Sequence, residues 1–145
     1  MILIDTNLLL YAHVAGAPEH VVTNRWLDEQ FRSGVRVGLP WHSLLGFVRI
    51  VSNPRGFRAP STVADGWRQV RQWLSADNAW IPQPTDRHGD VLDAIFSAVR
   101  VNSRFVMDAH LAALAIEHGL TLCSNDRDFA RIPNLRWTNP LAGDR

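Results

Sequence analysis

Lysine is missing from this 145-residue chain: all 15 basic residues are arginine. An arginine-only set offers planar forks of donors that match phosphate, so nucleic-acid contact is compatible with it, although codon usage in a GC-rich genome explains it equally well. Cysteine is almost missing too. Cys123 has no partner for an intramolecular disulfide, which excludes a stapled scaffold and points to a reducing cytoplasm. Its place in the apolar run Leu120 to Cys123 reads as a small buried side chain rather than a nucleophile. No apolar run reaches the ~20 residues of a membrane span, and the N-terminus opens on a strand pattern instead of a basic region with a cleavage site. Neither membrane insertion nor export is expected. With 46% apolar and 20% charged residues, the composition is that of a single globular domain over residues 1–145 with its own core.

What is present is organised around Met1 to Leu10, MILIDTNLLL. Ile2, Leu3 and Ile4 are continuous rather than alternating, as in a strand of a parallel sheet covered on both faces. Thr6 and Asn7 can cap the helical pattern that runs from Leu8 to Ala12. Asp5 therefore stands at the carboxyl end of a strand, where open α/β sheets bind ligands; a simple helix cap is the plainer alternative.

Helical and strand signals then alternate without repeats or low-complexity linkers. Pro18 and Glu19 open a helix through about Phe31, Gly34 ends it, and Val35 to Leu39 give a second strand. Pro40 precedes a helix from His42 to Val51, and the loop Asn53 to Pro60, NPRGFRAP, carries Arg55 and Arg58. Ser61 caps a helix to Ser75, Trp80 and Ile81 form a brief third strand, and Pro84 to Val101 give another helix. Asp90 and Asp93 share a face of that helix, which reads better as solvated surface than as a cation site. Trp26, Trp67 and Trp73 fall on amphipathic helices and suit a core or an interface equally. An edge strand at Leu135 to Trp137 precedes the tail.

Two more places repeat the opening arrangement. Asp108 begins the run DAHLAALAIEHG, with Leu111, Ala112 and Ala115 at offsets of three, four and seven, so the carboxylate belongs to the inward stripe; Glu117 faces elsewhere. Leu120 to Cys123 reads as a central strand and ends in Ser124, Asn125, Asp126, Arg127 and Asp128. Together these elements can bring three or four carboxylates to one mouth of a parallel sheet. Such charges repel, and a proton or a divalent cation relieves them. Oxygen ligands without His or Cys favour Mg²⁺ or Mn²⁺ over zinc.

IDTN at Asp5, DAHLAALAIEHG from Asp108 and SNDRDF at Asp126, in this order over essentially the whole chain, resemble the PIN domain and specifically the VapC-type toxins of bacterial toxin–antitoxin pairs. The segment LPWHSLLGFVRIVSNPRGF is in character for one branch of that family. The resemblance implies a three-layer α/β/α sandwich on a mostly parallel sheet and a Mg²⁺-dependent endoribonuclease. It assigns catalytic and metal-binding roles to Asp5, Asp108 and Asp126, with Asp128 as an auxiliary metal ligand, and makes Ser124, Asn125, Thr6 and Asn7 candidates to orient a ligand or water. It also implies a small cognate antitoxin of the VapB type, for which the helices Pro18 to Phe31 and Ser61 to Ser75 offer apolar grooves, and a homodimer. Arg49, Arg55, Arg58, Arg104 and Arg127 are the candidates for RNA backbone contact.

One position departs from the family pattern. Most PIN nucleases carry a glutamate about where this chain has Gly46, and no acid occurs between Glu29 and Asp65 to replace it. Either three aspartates hold one metal, or a residue such as His42 or Arg49 alters the chemistry; His42 itself reads as a packing or surface histidine. The alternative is a catalytically impaired module that binds RNA or an antitoxin. A haloacid-dehalogenase phosphatase would need a second aspartate where Asn7 stands, and a receiver domain would need a late lysine.

Overall fold

A computed structural model describes residues 1–56 and 60–143. Five strands, β1 (Ile2–Ile4), β2 (Val37–Gly38), β3 (Ala79–Trp80), β4 (Thr121–Cys123) and β5 (Arg136–Thr138), form one sheet in the order β3-β2-β1-β4-β5. All pairings are parallel, and β1 sits at the centre with Ile2 opposite Val37 on one side and Thr121 on the other. Six helices accompany it: α1 (Thr6–His13), α2 (His20–Arg32), α3 (Trp41–Val51), α4 (Val63–Leu74), α5 (His88–Ala98) and α6 (Val106–His118). The expected α/β/α sandwich is present. No described helix is long and apolar enough to cross a membrane.

The period of two in the strands sorts the core into two halves. Ile4 and Cys123 pack with Leu8, Leu9, Leu27, Leu44, Phe47 and Val70, from α1 to α4, on one face. Leu3 and Leu122 pack with Ile95, Leu111, Ala112, Leu114 and Phe129 on the other. Both faces of β1 are covered, and that is why its sequence shows no polar alternation. Chain order runs outward from β1 through β2 to β3, then crosses to β4 and β5 on the opposite side. The reversal leaves a crevice between the carboxyl ends of β1 and β4, the place where open α/β sheets hold ligands.

Several boundaries differ from the sequence reading. α1 starts at Thr6, and its cap is Asp5, whose carboxylate accepts from the Thr6 N–H, so the plainer role proposed for Asp5 is also real. α4 is capped by Thr62 rather than Ser61: its hydroxyl accepts from the Asp65 N–H while the Asp65 carboxylate accepts from the Thr62 N–H. α5 is shorter than Pro84 to Val101, because Thr85 N–H is drawn to the Glu117 carboxylate and Val99 is already extended. β2 is confined to Val37–Gly38, β3 is Ala79–Trp80 and β5 ends at Thr138.

α6 is more than a one-sided amphipathic helix. Ala109 and Leu111 to Ala115 are all buried, so the middle of the helix is covered almost all round. Fully buried Leu111 and Leu114 each contribute about 1.5–3 kcal/mol of apolar burial. Gly119 closes the helix in the left-handed region at φ 66°, where a side chain would be strained. This firm seating fixes where the first turn, and with it Asp108, emerges.

Candidate active site

Asp5 leaves β1 only 8% exposed. One carboxylate oxygen accepts from the Thr6 N–H at 2.7 Å, and the other accepts from the Ser124 hydroxyl at 2.7 Å. Ser124, fully buried at the end of β4, in turn accepts from Asn7 Nδ2 at 3.0 Å and from the Asp126 N–H at 3.0 Å. A single hydroxyl thus ties the loop after β4 to the start of α1. Asn125 N–H donates to Asn7 Oδ1, Asn139 Nδ2 donates to Asn125 Oδ1 at 3.0 Å, and Trp137 Nε1 donates to the Ser124 carbonyl at 3.2 Å. The loop is therefore held from three sides. Asp126 caps the short 3-10 turn Arg127–Arg131 by accepting from the Asp128 N–H at 2.9 Å, which leaves Asp128 exposed at the rim.

Asp108 stands in the first turn of α6, half-buried, and its carboxylate takes no hydrogen bond among the described residues. Burial, then the charges of Asp5, Asp126 and Asp128, push its pKa up to about 6. The four acids therefore share one mouth, since each of the other three acts on Asp108. Asp5 is also raised by burial, against the pull of Ser124, Thr6 and His42, with Asp126 adding to the rise. Among the described residues no three His, Cys, Asp or Glu side chains are drawn into a closed metal-binding group. The mouth is a set of hard oxygen donors in mutual repulsion, not a preformed cage.

The chain matches the family described as the PIN domain over residues 2–135. It belongs to the PIN-domain family. Ribonuclease VapC37 of Mycobacterium tuberculosis is 39% identical over 142 residues, covering 98% of this chain and 99% of the relative. Two solved structures share the fold at 18% identity. VapBC2 from Rickettsia felis, bound to a DNA fragment from its promoter, has a TM-score of 0.69 and covers 96% of this chain and 98% of its own. Mycobacterium tuberculosis VapC20, a toxin that cleaves the Sarcin-Ricin loop, has a TM-score of 0.62 and covers 94% and 99%.

At Gly46, where the resemblance leads one to expect a glutamate, this PIN domain packs without room for a side chain. A Cβ placed on Gly46 would lie 2.9 Å from the Thr6 hydroxyl, which donates to the Ser43 carbonyl at 3.1 Å. α1 and α3 approach so closely here that no side chain fits unless Thr6 yields. His42, read from the sequence as a packing or surface histidine, packs beside the acids. It is half-buried on α3, edge-on to His110 with ring centroids 5.9 Å apart, and near enough to Asp5 that each shifts the other. Burial holds His42 below the usual histidine range, with Asp5 opposing and Arg49 reinforcing that shift. Its place one turn before Gly46 was the available signal.

Among the arginines, Arg49 lies in the His42 neighbourhood, Arg104 is exposed in the 3-10 turn Ser103–Phe105 before α6, and Arg127 begins the turn between Asp126 and Asp128. Arg55 is exposed in the loop after α3, and Arg58 lies outside the described residues. Asp90 and Asp93 are both exposed, as a solvated helix face requires.

Proposed function

We propose that this PIN domain is a divalent-metal-dependent endoribonuclease and the toxin of a toxin–antitoxin pair. The observation that carries the reading is the meeting of Asp5, Asp108, Asp126 and Asp128 at the crevice between β1 and β4. Four acids with no arginine ion pair among the described residues gain from an added cation, and their donor chemistry fits Mg²⁺ or Mn²⁺. Asp5, Asp108 and Asp126 would hold it, with Asp128 at the rim. Such an ion, when bound, supplies Lewis acidity toward water and the phosphodiester.

The chain's own residues do the rest. Ser124 and Thr6 present Asp5 in one orientation, and Ser124 sets Asp126 through its N–H. A site held this way loses little entropy when substrate arrives. Arg49, Arg104 and Arg127, all exposed, are the candidates to take the RNA backbone, which would make binding weaker at high salt. In-line attack by water leaves a 5′-phosphate and a 3′-hydroxyl.

A VapB-type antitoxin and a homodimer are the partners proposed for this chain, supported by the VapBC assembly of the Rickettsia felis relative. Val21, Val22, Val63 and Trp67 are exposed on α2 and α4, the apolar surface such a partner would cover. The second reading, a binding module without turnover, draws on Gly46. Cleavage of total cellular RNA by antitoxin-free protein with Mg²⁺, with chelator and with Asp5→Asn decides between them. Fragments that need both metal and Asp5 and carry 5′-phosphates support the nuclease; intact RNA from folded protein in Mg²⁺ and Mn²⁺ supports the module.

A further inference from the structure

Next to the acids, on the α3 side, a cavity of about 340 Å³ is lined by Trp41, His42, Leu45, Gly46, Arg49 and Met107. It adjoins the mouth at three points. His42 acts on Asp5, Gly46 lies against Thr6, and Met107 precedes Asp108. Gly46 leaves bare backbone in the cavity wall, and a Cβ there would meet Thr6.

The walls have the chemistry of a base-binding site. Trp41 is 37% exposed, and its other side is braced by Trp67, with the two indoles stacked at 6.3 Å and 17°. A braced indole offers a flat face whose orientation is already set. Leu45 and Met107, both exposed, add apolar and polarisable surface beside it. Arg49 is exposed and takes part in no ion pair among the described residues, so its guanidinium fork is available to a phosphate. No carboxylate lines the cavity, so the charge favours an anionic occupant over a basic peptide.

We propose that this cavity is a nucleobase subsite, in which the base flanking the bond to be cut stacks on Trp41 while Arg49 holds its phosphate. The inference rests on the ribonuclease reading and narrows its substrate. A base can reach the cavity only when it is unpaired and turned out of a helix, so the cut falls in a loop or a single strand.

The test uses a short fluorescent single-stranded RNA of mixed sequence, and the same RNA annealed to its complement, with the full chain in chelator so that binding is read without cleavage. Trp41→Ala is expected to weaken single-strand binding by roughly tenfold, within the range for loss of one stacked base, while Trp41→Phe restores most of it. Duplex binding is expected to change little. Arg49→Gln is expected to lower the salt slope of binding by about one. Single-strand affinity of Trp41→Ala within about twofold of the parent overturns the subsite. So does a Trp41→Ala protein that changes only its sedimentation, which would make the cavity a contact between copies.

Cleavage in Mg²⁺ by the parent and by Asp5→Asn is run alongside. Parent protein that cuts through Asp5 while Trp41→Ala binds and cuts normally removes the subsite and leaves the nuclease. Parent protein that neither cuts nor binds RNA removes both.

Discussion

α6 carries two carboxylates withdrawn from water, and they have opposite surroundings. Glu117, near its end, has a side chain with no exposure, and both of its oxygens are taken: one by the Thr85 N–H at 2.7 Å, the other by His88 Nδ1–H at 2.7 Å. The chain continues to His110, whose Nδ1 lies 2.9 Å from His88 Nε2. Burial and the neighbouring His88 keep His110 below the usual histidine range, and the three side chains form one hydrogen-bonded row from Glu117 to His110. Asp108, in the first turn, has no such donors and faces three other acids. Burial alone does not make an acid functional. The satisfied carboxylate fastens α6 to α5, and the unsatisfied one is left with an affinity for a proton or a cation.

The largest expected effect falls on the unsatisfied group's partners. Asp5→Asn should lower metal-dependent RNA cleavage to background while the circular dichroism spectrum and melting transition persist; cleavage at the parental rate would remove Asp5 from the chemistry. Glu117→Ala should do the reverse, costing about 1–3 kcal/mol in urea unfolding because buried donors lose their acceptor, with cleavage per folded molecule preserved. If Glu117→Ala proved neutral in stability, the contrast between the two acids would fail.

Smaller effects sharpen the same contrast. Ser124→Ala should reduce cleavage or metal affinity by about 10–100-fold, as loss of an orienting hydrogen bond does, measured by metal titration of activity. Gly46→Ala should destabilise by about 1–3 kcal/mol through its clash with Thr6, read from the denaturation midpoint.

The smallest effect is in pH dependence. Asp108 has a folded pKa of about 6 against an ordinary 3.8, so the native state binds its proton more tightly than the unfolded chain. Its contribution is full below pH ~4 and is lost as pH rises through about 6. Metal-free protein should therefore lose stability across that window, modestly because solvent reaches half of the side chain, and Asp108→Asn should flatten the loss. An Asp108→Asn curve that paralleled the parent's would show that another group titrates there.

How much of this was legible in the sequence depended on the range of the interaction. β1, β4 and the acids that follow them are signalled by apolar runs ending in polar residues, all within about ten positions, and they were placed correctly in the fold. The cap of α4 was also decidable locally, since Asp65 stands three residues after Thr62 but four after Ser61. The early end of α5's pattern was not, because Thr85 is held by Glu117 across 32 positions. His42 beside Asp5, and Thr6 against Gly46, likewise join residues about 40 apart, and no periodicity in either segment announces the other. The resemblance to PIN nucleases drew attention to Gly46, but its contact with Thr6 is visible only in the packing.

The hydrogen bond between Ser124 and Asp5 spans 119 positions of sequence. Because synthesis runs from the N-terminal side, β1 and Asp5 are made well before β4, and the two strands cannot pair until β4 has followed. Until then the loop that carries Ser124 and Asp126 does not exist, and β1 lacks one of its two neighbours. The proposed mouth is therefore completed only when the segment after β4 has been made and has folded back onto β1.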